Sequence, residues 1–431
     1  MSRELLVRGG RLVDPAAERD GPHDLLLRDG LVAEVGERLD RPDAEVFDAS
    51  GLVVLPGFID LHAHLREPGR EDVETIQTGL RAAAAGGFTA VCAMPNTDPV
   101  NDSRELCEFV AARGQRAAAA RLYPIGAISV GQKGEELTAF GEMREAGAVA
   151  LSDDGRWLAD GGLLRRAFEY ARLFELPIVQ HAEDRTLSEG APMNEGAVST
   201  RLGLSGQPAL AEAAAVARDL LVAELARGRL HVAHLSTARS LDLVRRAKAE
   251  GLRVSCEVTP HHLVLSDREI AASGFSTRMK MNPPLRETSD LGALAAGLSD
   301  GTIDAIATDH APHHPDEKAV EFDAAPFGVV GLETAASVVY DRFVARGRLP
   351  LDRFAVLFSA GPANAFGLPG GTLAPGAPAD VTLFDPERRW TVDPGRFLSK
   401  GRSSPFAGWD LVGAPEATIV GGTVVWRRAE R

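Results

Sequence analysis

The chain has 431 residues, 45% of them hydrophobic and 25% charged, which argues against a disordered or fibrous protein and leaves room for a large core and more than one domain. Acidic side chains number 61 against 47 basic ones, a formal charge of −14 with no dense basic run, which argues against nucleic acid or an anionic membrane as the main partner. The three cysteines, Cys92, Cys107 and Cys256, are far apart and form no CxxC pair, which argues against a disulfide framework or a thiolate zinc site. The opening MSRELLVRGG has no apolar core of signal-peptide length, and the longest uncharged stretch, Ala82 to Thr97, falls short of the roughly 20 residues of a membrane span. A cytoplasmic location is the expectation.

In chain order, the first fifty residues break into short apolar runs joined by tight turns, ELLVRGGRLVD, DLLLRDGLVAEVG and AEVFDASGLVV. Alternation over such runs, bounded by Gly, Asp and Pro, predicts antiparallel strands, so 1–54 is expected to form part of a small β domain. From there the rhythm changes. β-rich runs recur at GFIDLHAH, TAVCAMPN, RLYPIGAIS, AVALSDDG, PIVQHAED, RLHVAHLST, RVSCEVTPHHL and TIDAIATDHAPH. Between them lie Ala- and Leu-rich stretches of helical period, such as PALAEAAAVARDLLVAELARG. Eight strands alternating with helices fit either an open doubly wound sheet or a closed (β/α)8 barrel. Most of these strands end in a chemically useful group: His62 and His64, Asn96, Asp154, His181, His234 or Asp309. Barrel enzymes draw their sites from the C-terminal ends of several strands at once, so 55–366 is expected to be a TIM-type barrel. The runs ADVTLFDPERRWTV and ATIVGGTVVWRR return to the first pattern, and 367–431 is expected to complete a β-sandwich made from both chain ends.

GFIDLHAHLREPG places Asp60, His62 and His64 on alternate positions before a Pro-Gly stop. Residues two apart in a strand share a face, so all three are expected to project to one side. Buried polar groups in a row need a partner, and a metal ion is one. Further candidate ligands end later strands: Asp153 or Asp154 in LSDDG, His181 in VQHAED, His234 in VAHLST and Asp309 in ATDHAPH. Alternation lets one of the two aspartates face the barrel axis, and spacing does not say which. Four histidines and two carboxylates are too many for one tetrahedral ion; they suit two Zn²⁺ ions sharing a carboxylate. His231 lies three residues before His234, on the opposite face, as a packing or supporting residue. His261 and His262 end the seventh strand, where they can line the site but have no ligand position left for them in a two-ion set. The run HHPDEKAVEFDAAPFG, residues 313–328, has no helical or strand period, is long for a barrel loop, and is expected to be a lid over the site.

GFIDLHAHLREPG, AMPNTDP, GAISVGQKGEEL, LSDDG, QHAED, VAHLSTARS, EVTPHHL, KMNPPLR and ATDHAPHHPDEK resemble, in order, the motifs of bacterial dihydroorotases of the class I type, cyclic amidohydrolases of the amidohydrolase superfamily. The HxH strand alone indicates only the superfamily; REPG after it and HAPH followed by EK are narrower. The resemblance implies a zinc held by His62, His64, Asp309 and a bridging carboxylate, and a second held by that carboxylate with His181 and His234. It favours Asp154 as the bridge and gives Asp309 the proton-transfer role. It implies substrate contacts at His64, at Arg66, Asn96 and His313 for the substrate carboxylate, and at Asn282, Phe327 and Gly328. The implied reaction interconverts N-carbamoyl-L-aspartate and dihydroorotate in pyrimidine biosynthesis. A homo-oligomer and association with aspartate transcarbamoylase are both compatible with it.

In many relatives, hydantoinases and allantoinases included, a carbamylated lysine from the fourth strand bridges the metals. SDDG offers none, and Lys133 lies in the turn after the third strand, so the second metal site is expected to be the weaker. Two rival readings are a hydrolase of another cyclic amide, which has no use for a carboxylate pocket, and a non-catalytic scaffold for aspartate transcarbamoylase. Scaffolds of that kind lose metal ligands, whereas every one is present here.

Overall fold

The computed structural model describes residues 4–429. Eight strands pair in parallel and in sequential order: β1 (Phe58–Ala63), β2 (Phe88–Ala93), β3 (Arg121–Gly126), β4 (Ala150–Ser152), β5 (Ile178–Gln180), β6 (Leu230–Val232), β7 (Val254–Val258) and β8 (Ala305–Ile306). The sheet closes on itself past β8, where Ala63 bridges His310 and the His64 N–H donates to His310 O at 2.8 Å. Every residue of β1 and β2 is buried, as a strand covered on both faces requires. The expected (β/α)8 barrel is the fold.

The helices between strands bury one stripe each. In Gly161–Ala171, Asp160 caps the start by accepting from the Leu163 N–H at 2.6 Å, and Leu163, Leu164, Ala167, Phe168 and Ala171 recur on the inner face. Each buried Leu or Phe there contributes about 1.5–3 kcal/mol. Phe168 packs so closely on the turn before β6 that a Cβ on Gly228 would lie 2.3 Å from its ring. Phe168→Ala would therefore open a cavity and cost about 3–5 kcal/mol.

Both chain ends share one β structure. A six-stranded sheet runs in the order Thr423–Arg427, Asp410–Val420, Val381–Thr391, Val53–Pro56, Arg11–Asp14 and Arg19–Pro22. Its central pairing, Val381 opposite Pro56 through Phe384 opposite Val53, is antiparallel and joins the two halves of the chain. A four-stranded sheet of Leu31–Gly36, Asp24–Arg28, Glu4–Arg8 and Glu45–Asp48 lies beside it. Leu5, Leu12, Leu25, Val54, Val381, Leu383 and Ile419 form the shared core. An aromatic cluster ties this unit to the barrel: Phe58 of β1 meets Phe358 at 5.0 Å, Phe354 meets Phe358 at 4.8 Å, and Phe354 meets Phe384 of the six-stranded sheet at 5.9 Å. No helix among the described residues is long and apolar enough to cross a membrane.

One expectation fails in β1. Asp60 does not share a destination with His62 and His64. The β1–β2 register shifts between Asp60 and Ala63, which breaks the alternation the sequence pattern assumes. Asp60 turns instead into the closing seam, where it accepts from the Thr308 N–H at 3.0 Å and the Thr308 hydroxyl at 2.6 Å.

Candidate metal centre

β1 carries His62 and its continuation His64, the turn after β4 carries Asp154, and His181, His234 and Asp309 follow β5, β6 and β8. The Asp154 carboxylate stands between two imidazole pairs. Its Oδ2 lies 3.5 Å from His62 Nε2 and 3.5 Å from His64 Nε2, and its Oδ1 lies 3.4 Å from His181 Nδ1 and 3.6 Å from His234 Nε2. Asp309 Oδ1 approaches the first pair, 3.3 Å from His64 Nε2 and 3.7 Å from His62 Nε2. Such separations are long for hydrogen bonds. They lie close to the roughly 3.3 Å edge between ligands set tetrahedrally about 2.0–2.1 Å from one ion. Two groups, His62 with His64 and Asp154, and Asp154 with His181 and His234, can each hold a metal ion.

The donors are prepared for it. His62 Nε2 and Asp154 Oδ1 are buried without a hydrogen-bond partner among the described residues, a state that native interiors seldom leave unexplained. Burial pushes both carboxyls up, yet the surrounding imidazoles hold Asp154 and Asp309 below the usual carboxylate range. Two buried anions demand positive charge beside them, and divalent ions supply it. Imidazole nitrogen and carboxylate oxygen without thiolate is a donor set of borderline hardness.

Three histidines are held at the ring nitrogen that faces away from this centre. The His62 Nδ1–H donates to Glu257 Oε1 at 2.9 Å, the His64 Nδ1–H to Asn96 Oδ1 at 2.8 Å, and the His181 Nε2–H to Glu183 Oε2 at 3.1 Å. Each bond fixes the tautomer that leaves a lone pair on the inward nitrogen. His231 Nε2 lies 3.2 Å from the other oxygen of Glu257, so it supports His62 at one remove. Sequence reasoning missed Glu257 and Glu183. Their only signals were an acid inside an apolar strand, RVSCEV, and an acid two residues after His181 in QHAED.

The two adjacent aspartates diverge. Asp153 accepts from the backbone N–H of Ile128 at 2.9 Å and of Ser129 at 3.0 Å, and from the Ser129 hydroxyl, so it organises the turn after β3 rather than facing the histidines. Gly155 is not demanded by close packing, since a Cβ there would meet nothing within 4 Å. Lys133 is exposed, and His262 bonds Thr259 Oγ1 at 2.8 Å and Pro283 O at 2.9 Å. Arg66, His234 and Asp309 hold left-handed backbones, with φ of 61°, 31° and 45°. Such conformations cost about 1–3 kcal/mol each and gather at functional sites.

Over the centre opens a cavity of about 230 Å³ whose walls include Arg66, Asn96, Asn282, His313, Phe327 and Gly328. Arg66, in the cavity wall, donates by its Nε to Pro312 O at 3.2 Å; burial lowers its pKa to about 10, so it stays charged. The Asn282 amide donates to Glu183 Oε2 at 2.7 Å, and the His313 Nε2–H donates to Phe327 O at 2.7 Å. Gly328 has φ 131°, and a Cβ there would lie 2.8 Å from Ala311 O. The 313–328 run contains a one-turn helix, Pro315–Lys318, that its sequence did not announce.

A family model described as Dihydro-orotase-like matches residues 51–240. A protein named dihydroorotase from Anaeromyxobacter dehalogenans (strain 2CP-C) is 56% identical over 426 residues, 99% of this chain and 98% of its own. Another from Pelotomaculum thermopropionicum is 53% identical over 422 residues, 98% of each chain. Among solved structures, the L-hydantoinase (dihydropyrimidinase) from Arthrobacter aurescens superposes with a TM-score of 0.89 at 28% identity, covering 100% of this chain and 97% of its own. Matches at this identity span nearly the whole chain, and so include the strands that bring the imidazole pairs to Asp154; the chain belongs to the dihydroorotase family.

Proposed function

We propose that the protein interconverts N-carbamoyl-L-aspartate and dihydroorotate, closing or opening a cyclic amide in pyrimidine biosynthesis. The observation that carries this reading is one carboxylate, Asp154, offering one oxygen to each imidazole pair beneath a cavity walled by the Arg66 guanidinium. His62, His64, Asp154 and Asp309 would hold one Zn²⁺, and Asp154, His181 and His234 the other. Bound there, such ions acidify water to a pKa of about 7 and polarise the amide carbonyl.

The chain's own residues do the rest. Arg66 receives the substrate carboxylate in bidentate fashion, with Asn96 and His313 beside it, and so orients the ring amide over Asp154 and Asp309. Asn282, Phe327 and Gly328 hold the ring from the other walls, and His64 reaches it from below. In ring opening, an Asp309 oxygen accepts the proton of the attacking water and returns it to the departing ring nitrogen; in closure the proton travels the other way. A neutral hydantoin has no carboxylate for Arg66, which favours this substrate over those of the structurally similar hydantoinases. A homo-oligomer and a complex with aspartate transcarbamoylase belong to the same reading, and light scattering of the protein alone and mixed with that enzyme tests both.

The test of function is a comparison of purified protein on dihydroorotate and on unsubstituted hydantoin, with metal analysis of the same sample. Turnover of dihydroorotate with zinc present supports the reading. Preference for hydantoin would overturn it, and inactivity on both with the ligands metal-free would favour a scaffold.

A further inference from the structure

Lys318 is a buried lysine, and its partners are backbone carbonyls. Its Nζ donates to Pro326 O at 2.8 Å, to Gly328 O at 2.9 Å and, at the long limit of 3.4 Å, to Lys280 O. The carbonyl of Lys318 itself is held by the Thr277 hydroxyl at 2.6 Å, and the Gly328 N–H donates to Lys280 O at 3.0 Å. A second buried lysine completes the frame: Lys280 Nζ donates to Phe322 O and Asp323 O at 2.8 Å each and lies 4.8 Å from the Phe327 ring centroid. Neither lysine is among the residues that wall the cavity.

Burying an ammonium group is costly unless its N–H groups are matched. Here three donors meet three acceptors. Burial and the neighbouring Lys280 push Lys318 down to about 7. The three carbonyls act in the opposite direction, because a neutral amine has one donor fewer and turns a lone pair on an acceptor. What this frame suspends is functional in position. The Pro326–Gly328 backbone presents the carbonyl that receives the His313 Nε2–H at 2.7 Å. It also places Gly328, where a Cβ would come within 2.9 Å of His313 Nε2. A small drop or rise of this strip would move both His313 and the Phe327–Gly328 wall.

We propose that Lys318 is a positioning residue for substrate binding, fixing the Pro326–Gly328 strip at the height where His313, Phe327 and Gly328 form one wall of the acid-binding pocket. This rests on the proposed dihydroorotase activity. Lys318 touches neither the metal-ready groups nor the cavity; its contacts reach the pocket through the strip, and its charge also bears on His313, whose pKa burial, Arg66 and Lys318 lower.

The experiment compares wild type with Lys318→Met, which keeps most of the stem and removes the ammonium, and Lys318→Gln, which keeps two N–H donors. KM and kcat for dihydroorotate are measured below about pH 7, where the wild-type amine is protonated, with zinc content and circular dichroism of each variant. The expected result is a KM raised about 10- to 100-fold in Lys318→Met, kcat altered by less than about threefold, and an intermediate KM in Lys318→Gln. Zinc content should match wild type. A wild-type KM in either folded variant overturns the proposal, as does loss of zinc or of fold in both. Failure of the wild type to act on dihydroorotate would instead sink the functional reading, so the two failures are told apart.

Discussion

Asp60 and Thr308 lock the last seam of the barrel, with both the backbone N–H and the hydroxyl of Thr308 donating to the two oxygens of one buried carboxylate at 3.0 and 2.6 Å. The lock is next in sequence to the residues that the seam must hold in register, with His62 two residues after Asp60 in β1 and Asp309 directly after Thr308 past β8. Asp60→Ala removes the acceptor of these two buried donors and of the His62 N–H at 3.3 Å, and should destabilise the protein by about 2–4 kcal/mol. Urea unfolding of the zinc-loaded protein measures it, and an unchanged midpoint would show that the seam is held elsewhere.

The divergence of Asp153 and Asp154 separates two variants that differ by one position. Asp154→Ala is expected to lose bound zinc and activity, because both imidazole pairs lose their shared partner. Asp153→Ala should retain zinc while loosening the turn at Ile128 and Ser129. Metal-stripped wild type should recover on Zn²⁺ alone in carbon-dioxide-free buffer, since a carboxylate bridge needs no carbamylation. A bicarbonate requirement, or zinc loss on changing Asp153, would contradict the assignment.

Glu257 gives the His62 site a test that spares the proposed ligands. Glu257→Gln weakens the acceptor behind the His62 Nδ1–H, so zinc affinity at that site should fall about 10- to 100-fold with the fold intact. Competition with a chelator reads this directly. His231→Ala, one contact further out, should show a smaller loss in the same direction.

Glu333, outside the proposed ligand set, predicts how stability follows pH. Its carboxyl accepts from the N–H of Leu398 at 2.8 Å and Ser399 at 3.1 Å, yet burial pushes its pKa from 4.5 up to about 7. The folded chain therefore keeps this proton over a range in which the unfolded chain has released it. The stability it contributes is complete below about pH 4.5 and is lost as pH rises through about 7. The loss amounts to roughly 3 kcal/mol. Glu333→Gln should flatten the decline across that window in denaturant titrations. An unaltered slope would place the titrating group elsewhere.

The strand count, the parallel barrel and the four histidines were legible in the sequence because each depends on local pattern. An apolar run ending in a polar group before a Gly or Pro turn is the trace of a barrel strand that carries function at its C-terminal end, and GFIDLHAH, VQHAED and VAHLST all show it. The same local logic misplaced Asp60, because a register shift inside β1 leaves no mark in the order of residue types. It also left Asp153 and Asp154 undecided on spacing, because both lie in the turn where alternation ends. Glu257 was out of reach for another reason. It bears on the centre by meeting His62, 195 residues away, and a contact of that separation exists only once the barrel closes. Lys318 belongs to this second class. In HHPDEK it reads as one charge among several, and only the fold turns it inward onto three carbonyls behind the wall. Periodicity and turn chemistry are properties of neighbours along the chain, so the sequence alone determined the barrel and the strands that end in histidine or aspartate. Which polar groups face one another across the closed barrel was decided by the tertiary structure, because burial and pairing are properties of neighbours in space.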